Sequence, residues 1–253
     1  MDKEILKALL ITSIAGLSTT IGSIIGLIFK RENPKFMSFV LGFTAGVMIG
    51  VSFFELLPSG LKELGMLKSG IAFFAGFIFI FIIDYFIPHE YIGQKEKISD
   101  KTDKKLLRTG LFIALGIGIH NFPEGMATFY STIADVKIGI AIAVAIAIHN
   151  IPEGIAVSAP IYKATGSRTK AFMWSFLSGV VEPVGAILTA FIFLPFLNTQ
   201  ILGYLLSAIA GLMLFISIDE LLPISKSYGY IHLPIISFLT GMIVIFISLI
   251  FLK

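Results

Sequence analysis

The chain of 253 residues contains no cysteine, and only 14% of its residues are charged. The missing thiols exclude disulfides, thiolate nucleophiles, zinc fingers and cysteine-bound iron–sulfur clusters. A G-x-x-x-x-G-K-[ST] segment is also missing, and the net charge of +3 is too small to predict a nucleic-acid partner. The sequence is rich in apolar residues instead, with 56% hydrophobic residues and a mean hydropathy of +0.94. This composition predicts an integral membrane protein in contact with the lipid bilayer.

Eight hydrophobic segments are long enough to cross a bilayer, which takes about 20 apolar residues in a helix. The sequence therefore predicts an all-α integral membrane fold with eight transmembrane helices, in a single transmembrane domain over residues 1–253. The first segment is interpreted as a retained span, because it is too long for a typical cleaved signal. The one long connection, at about 89–107, is charged and rich in lysine. The predicted spans are 5–29, 36–58, 70–88, 108–133, 138–161, 170–194, 200–223 and 232–252.

Lysine and arginine are distributed unevenly between the two ends of these spans. Thirteen of them follow spans 1, 3, 5 and 7, and six lie on the opposite side. Because positive residues tend to remain in the cytoplasm, the bias predicts that both termini lie outside and that the loop 89–107 is cytoplasmic. The expected location is the cell (inner) membrane, crossed several times.

Two similar polar segments, HNFPEG from His120 and HNIPEG from His149, interrupt predicted spans 4 and 5. Ionisable side chains inside a bilayer cost roughly 3 kcal/mol each on insertion scales, so they indicate function. Each histidine shares a helix face with the glutamate four residues later, Glu124 or Glu153. A structural hydrogen-bond network is the alternative, but neighbouring carboxylates repel one another unless a cation lies among them.

The short turn ADVK joins the two spans, which are therefore predicted to form an antiparallel hairpin. In such a hairpin, residues at the same sequence distance from the turn lie opposite each other. His120 is therefore predicted to lie opposite Glu153, and Glu124 opposite His149. The repeated motif is thus expected to bring four ligands together, each histidine meeting the glutamate of the other helix.

Prolines accompany the acidic residues. Neither Pro123 nor Pro152 can donate to the carbonyl oxygen four residues earlier, so both helices are expected to bend or loosen beside the ligands. Pro183, directly after Glu182, repeats the arrangement in span 6. A kink that serves only packing is the alternative interpretation.

Imidazole nitrogen combined with carboxylate oxygen suits zinc, iron(II), manganese, cobalt or nickel, whereas magnesium and calcium prefer oxygen alone. Asn121 and Asn150, one residue after each histidine, are rotated by about a quarter-turn around the helix. They can serve a second, adjacent site with Glu182, in which Glu124 and Glu153 bridge two ions. A single site is the alternative.

Span 2 supplies two further candidates, Met48 and Glu55, which are seven residues apart and share a face of a regular helix. Met48 is either a soft ligand or core packing, and Glu55 is either functional or an interfacial carboxylate that reaches water. Glu55 belongs to an ELLP segment that also ends span 7. This match indicates an inverted repeat that relates spans 1–3 to spans 6–8, with spans 4 and 5 as the central hairpin.

The two HN-x-PEG motifs, the EP pair of span 6 and the ELLP segments of spans 2 and 7 resemble the ZIP family of divalent-metal transporters. The likeness covers nearly the whole chain, and within the family the chain is similar to the bacterial ZupT branch. It implies a binuclear metal centre between spans 4 and 5, and also dimers and an elevator-like movement of a transport bundle. By motif, the first implied site is His120, Glu124, His149 and Glu153, with Met48 and Glu55 nearby. The second is Asn121, Glu124, Asn150, Glu153 and Glu182, and it is less acidic than in family members that have aspartate at position 150.

Motifs and resemblance together predict uptake of divalent transition-metal cations into the cytoplasm, zinc first and also iron, manganese and cobalt. No resident cofactor and no enzyme activity are expected, and a homodimer is possible. An intramembrane metalloenzyme is the first alternative, but HEYIG has Gly93 where a zinc protease has its second histidine. A haem protein that uses His120 and His149 is the second, and the adjacent carboxylates argue against it.

Overall fold

The computed structural model describes residues 3–28, 33–86 and 100–252, and the regular structure in these ranges is entirely helical. Three π-helical turns, Ser52–Leu56, Thr189–Phe193 and Ile216–Leu221, and one 3₁₀ turn, Leu194–Phe196, lie next to the α-helices. The α-helices of the described ranges are α1 Lys3–Ile28, α2 Pro34–Val51, α3 Leu57–Phe86, α4 Asp100–Ala134, α5 Val136–Thr165, α6 Arg168–Leu188, α7 Thr199–Phe215, α8 Leu222–Ser227 and α9 Leu233–Leu252.

Short polar side chains fix where several helices begin. Asn33, Asp135, Ser167 and Asn198 accept hydrogen bonds from the first backbone N–H groups of α2, α5, α6 and α7. Gly166 ends α5 in the left-handed conformation, with φ of 67°. The turns between the spans are therefore determined locally by the sequence.

The chain reverses direction inside α3. Gly65 has φ of 75° and ψ of 171°, a conformation that favours glycine. The hydroxyl oxygen of Ser69 lies 3.0 Å from where a Cβ on Gly60 would be. Nine residues of a continuous helix span about 13.5 Å, so the chain must fold back at Gly65. The connection predicted at 58–69 is thus helical on both sides of a single reversal.

Six helical segments of the described residues are long and apolar enough to cross a membrane. They confirm the prediction of an all-helical, multi-pass membrane protein. One of them contains the reversal at Gly65. The segments are Lys3–Ile28, Pro34–Phe86, Val136–Thr165, Arg168–Phe196, Thr199–Ser227 and Leu233–Phe251.

Two predicted connections are shorter than expected. Residues 100–107 of the predicted loop 89–107 belong to α4, because a helix continues into a charged stretch that contains neither proline nor glycine. Residues 89–99 lie outside the described residues. The connection predicted from Ile224 is helical as far as Ser227, where α8 ends.

The helices pack in two groups. The first group contains α1, α4, α5 and α6, and the second contains α2, α3, α7, α8 and α9. Contacts within each group are far more extensive than contacts between the groups. The α4–α5 hairpin, which carries both polar motifs, lies in the first group.

Glycines allow the helices of each group to touch through their backbones, as is common in membranes, where small residues permit close approach. A Cβ added to any of these glycines would overlap a carbonyl oxygen of the neighbouring helix. In the first group the pairs are Gly22 with Ile151, Gly154 with Thr19, Gly125 with Glu182 and Gly185 with Phe122. In the second group they are Gly46 with Phe238, Gly211 with Phe73, Gly76 with Ala208 and Gly241 with Phe43.

The substitution Gly76→Ala is expected to destabilise the protein by about 1–3 kcal/mol, because its Cβ would overlap the carbonyl oxygen of Ala208. Gly70→Ala is the matched control on the same helix, since no described atom lies within 4 Å of its Cβ position. Thermal unfolding in detergent measures both variants. Equal melting temperatures for the two would contradict the close packing of α3 on α7.

Candidate metal site

The helices α4 and α5 bring the two HN-x-PEG segments together at the same depth. Nε2 of His120 lies 3.2 Å and 3.3 Å from the two carboxylate oxygens of Glu153. Nε2 of His149 lies 3.4 Å from Oε2 of Glu124. All four side chains are buried. Each histidine thus meets the glutamate of the other helix, which is the crosswise arrangement that the mirrored spacing predicts.

A backbone carbonyl orients the first histidine. Nδ1 of His120 lies 3.1 Å from the carbonyl oxygen of Gly116. A carbonyl oxygen only accepts, so Nδ1 carries a proton, and in the neutral ring Nε2 keeps the lone pair that a metal ion would bind. The backbone of α4 therefore orients His120 with Nε2 toward Glu153.

Several buried oxygens around the hairpin lack a hydrogen-bond donor within the part of the chain that the structure describes. They are Oε1 of Glu124, Oε1 of Glu182, and Oδ1 of Asn121 and of Asn150. A buried acceptor without a donor costs about 1–3 kcal/mol. Because all of these atoms are acceptors, they cannot satisfy one another, and each of them needs a donor or a cation.

Hydrogen bonds determine which way the two asparagines face. The amide nitrogen of Asn121 donates to the carbonyl oxygen of Ser178 at 2.9 Å. The amide nitrogen of Asn150 donates to Oε2 of Glu182 at 2.8 Å and to the carbonyl oxygen of Ala15 at 3.1 Å. Since the nitrogens are engaged, the carbonyl oxygens of both amides are left as acceptors. The helices α1 and α6 thus fix the orientation of both amides.

Met48 and Glu55 lie outside the two His–Glu pairs. Met48 is fully buried on α2. Thr44, one turn earlier on the same face, donates its hydroxyl to the carbonyl oxygen of Pro152 at 3.2 Å, so this face of α2 is directed at α5. Glu55 is half-buried in the π-helical turn Ser52–Leu56. This turn is wound more widely than an α-helix, so seven residues no longer return to the same face as the sequence spacing predicts.

Acidic side chains form a separate group beyond the hairpin. Among the described residues, Asp84, Asp219 and Glu220 are the only three carboxylate or imidazole groups whose ligand atoms all lie within 4.8 Å of one another. The four motif residues are accordingly arranged as two pairs rather than as one closed shell. Sequence reasoning missed Asp84; a lone aspartate in the apolar run FIIDYF was the available signal.

The prolines do not interrupt their helices. The helices α4, α5 and α6 remain helical through Pro123, Pro152 and Pro183. The prolines therefore do not end these helices, and the bend expected beside them stays a prediction. The carbonyl oxygen of Pro152 accepts the hydroxyl of Thr44.

Fold and site together define a multi-pass membrane protein with metal-ligand chemistry in its interior. The family described as ZIP Zinc transporter matches residues 88–249. The zinc transporter ZupT of Streptococcus mutans is 48% identical over 260 residues, which cover 98% of each chain. ZupT proteins of Chlorobium chlorochromatii, over 98% of each chain, and of Oceanobacillus iheyensis, over 100% of each, are also 48% identical.

The chain therefore belongs to the ZIP family of zinc transporters. The resemblance inferred from the motifs is confirmed. Members of this family are transporters and not enzymes, so the metalloenzyme alternative is set aside.

The crosswise pairing predicts a specific pattern of energetic coupling in the metal-free protein. In a double-mutant cycle of His120→Gln and Glu153→Gln, a coupling energy of about 1–3 kcal/mol is expected, since these groups are in contact. The cycle of His120→Gln with Glu124→Gln, on one helix, should give a smaller value. Thermal unfolding with a chelator present measures both cycles. Stronger coupling within one helix than across the hairpin would contradict the arrangement.

Proposed function

We propose that the protein carries divalent transition-metal ions across the cell membrane into the cytoplasm, zinc first and also iron, manganese and cobalt. The observation that carries this proposal is the pair of buried His–Glu contacts surrounded by oxygens without donors. Such a site is complete only when it holds a cation. The relatives are named zinc transporters, which supports the same function.

The membrane potential supplies the driving force for this uptake. An inside-negative potential of 100 mV favours inward movement of a dication by about 4.6 kcal/mol, or about 2.3 kcal/mol per charge. A nucleotide motor is therefore unnecessary. A mixed nitrogen and oxygen site without thiolate also binds these ions less tightly than a cysteine site, which favours release.

The proposed centre holds two adjacent ions. The amide oxygens that lack donors and the unpartnered Oε1 of Glu182 support a second site beside the His–Glu pairs. Met48 and Glu55 of α2 and its π-helical turn are assigned to the approach to the first site. The first site comprises His120, Glu124, His149 and Glu153, and the second comprises Asn121, Asn150 and Glu182 with Glu124 and Glu153 shared.

The proposed topology has eight spans in one domain over residues 1–253. The six apolar segments support it when Pro34–Phe86 is divided at Gly65 and α4 is added as span 4. The lysine and arginine bias supports termini outside the cell and a cytoplasmic loop at 89–107.

An inverted repeat is proposed to relate spans 1–3 to spans 6–8. Residues 41–58 and 206–223 are identical at nine of 18 positions, and each segment contains a π-helical turn just before its final proline. In each segment a serine hydroxyl donates to a methionine carbonyl oxygen, from Ser52 to Met48 at 2.8 Å and from Ser217 to Met213 at 2.7 Å.

The backbone contacts at glycines support the same repeat, because they occur in matched pairs. Residues of α2 and α7 that correspond in the repeat differ by 165 in number, and so do those of α3 and α9. When each residue of a contact in the second group is replaced by its counterpart, another observed contact results. These exchanges turn Gly46–Phe238 into Gly211–Phe73, and Gly76–Ala208 into Gly241–Phe43. In the first group, exchanging α1 with α6 and α4 with α5 turns Gly22–Ile151 into Gly185–Phe122, and Gly154–Thr19 into Gly125–Glu182.

Transport is proposed to proceed by movement of α1, α4, α5 and α6 relative to the other helices, as the family resemblance implies. The division of the packing into two groups supports this movement. Between the groups, Gly116 of α4 faces the side chain of Ile216 rather than a backbone, a contact that slides more easily. The homodimer implied by the resemblance stays a prediction.

In proteoliposomes with an inside-negative potential, Glu124→Gln and Glu153→Gln are each expected to lower zinc flux at least about tenfold, since even outer-shell partners of metal ligands contribute that much. Glu63→Gln, an exposed carboxylate on α3, is the matched control and should keep the parent rate. A zinc-sensitive dye inside the vesicles reports the flux, and competing dications rank the preferred metals. Parent-like flux in Glu124→Gln, or none in the parent, would refute the proposal.

The two-ion centre predicts that removing the Glu182 carboxylate lowers the number of zinc ions bound per protein. Equilibrium dialysis followed by metal analysis should find two zinc ions bound to the parent and one bound to Glu182→Gln. The amide of this variant cannot supply the charge of the second site, while the His–Glu pairs remain intact. One bound ion in the parent would leave only the single-site alternative.

A further inference from the structure

A threonine of α1 has a buried hydroxyl without a partner. Thr19 is fully buried, and within the described residues its Oγ1 has no hydrogen bond. The carbonyl oxygen that a helical threonine normally uses, here that of Ala15, already accepts from Ser18 at 2.6 Å and from Asn150 at 3.1 Å. Other buried threonines do donate to the carbonyl four residues earlier, namely Thr12, Thr44, Thr128, Thr132 and Thr189.

On α1, Thr19 has the position that Glu182 has on α6. The two helices cross where Gly16 faces Gly179. A Cβ on Gly16 would lie 2.9 Å from Cβ of Glu182 and 3.1 Å from the carbonyl oxygen of Gly179. A Cβ on Gly179 would lie 2.8 Å from Cβ of Thr19 and 3.0 Å from the carbonyl oxygen of Gly16. Thr19 and Glu182 therefore occupy equivalent positions at this crossing, as the proposed repeat requires.

The two asparagines of the hairpin follow the same symmetry. Each donates its amide to the carbonyl oxygen of the residue just before one of the crossing glycines. These pairs are Asn150 with Ala15, and Asn121 with Ser178. Asn150 also donates to Oε2 of Glu182 at 2.8 Å, and the same symmetry pairs Thr19 with Asn121.

The proposed symmetry also distinguishes Thr19 from Ser23 as a candidate ligand. Ser23, one turn later on the same face of α1, is buried with an unpartnered hydroxyl as well. Its counterpart on α6 is Ala186, which has no ligand atom. Of these two hydroxyls, only that of Thr19 matches a ligand of the proposed second site.

We propose that Thr19 is a further residue of the ion site, whose hydroxyl supplies a neutral oxygen to the ion held by Asn121, Asn150 and Glu182, directly or through one of the ion's water molecules. This inference rests on the two-ion centre of the proposed function. It makes the second site asymmetric, with a charged ligand from α6 and an uncharged one from α1. One carboxylate fewer weakens the hold on the ion, which a carrier needs for release.

The substitution Thr19→Val, which keeps the shape and removes the hydroxyl, is expected to raise the Kd of the second zinc ion about two- to tenfold, the range for one polar contact. Thr19→Ser keeps the hydroxyl and should bind as the parent does. Thr12→Val is the matched control, because Thr12 is equally buried on α1 but its hydroxyl donates to Ala8 at 2.9 Å. Titration with zinc against a chelating dye gives the Kd values. Thr19→Ala, with a smaller side chain, should show the same weakening if the valine variant does not fold.

Three results would overturn the role of Thr19 while leaving the two-ion centre in place. They are a parent-like Kd without the hydroxyl, equal weakening in Thr19→Ser, and equal weakening in Thr12→Val. A parent that binds one zinc, or a Glu182→Gln variant that keeps two, would instead overturn the two-ion centre, and the role of Thr19 with it.

Discussion

Two imidazoles and two carboxylates that are buried among the helices set the conditions for the rest of the structure. Isolated charges there would be prohibitive, so each histidine contacts the glutamate of the opposite helix. In the metal centre proposed above, an incoming ion must replace these contacts. The internal pairs thus act as competitors for the ligands, and they lower the affinity of a site whose donor set alone would bind more tightly.

The packing of helices around the α4–α5 hairpin also depends on polar side chains. Inside a bilayer the hydrophobic effect does not hold helices together, so close backbone contact and polar groups must do so. Asn121 and Asn150 combine both roles, since their amide nitrogens bind the backbones of α6 and α1 while their oxygens remain available. The hydrogen bonds that orient the two asparagines are therefore the same ones that join α4 to α6 and α5 to α1.

Local periodicity is what made much of this predictable from sequence. The facing of His120 and Glu153 follows from helical spacing and a short turn, both of which are properties of neighbouring residues. The grouping of Asp84 with Asp219 and Glu220 depends on how α3 packs on α7, which no local pattern encodes. The reversal at Gly65 was also inaccessible, because several glycines of that region have the same composition signal and only one has positive φ. Thr19 lies in GLSTTIG, where nothing distinguishes it until the crossing of α1 and α6 is known.

The main-chain contacts of α1 with α5 have a consequence for the size of the ions that the proposed centre can hold. At Gly22 and Gly154 the two helices meet through atoms that no change of rotamer can move. The distance between α1 and α5 therefore cannot increase unless the two helices separate along their length. If α5 carries ligands of the centre proposed above, the backbone thereby limits the radius of the bound ion, in addition to the preference of the donor atoms.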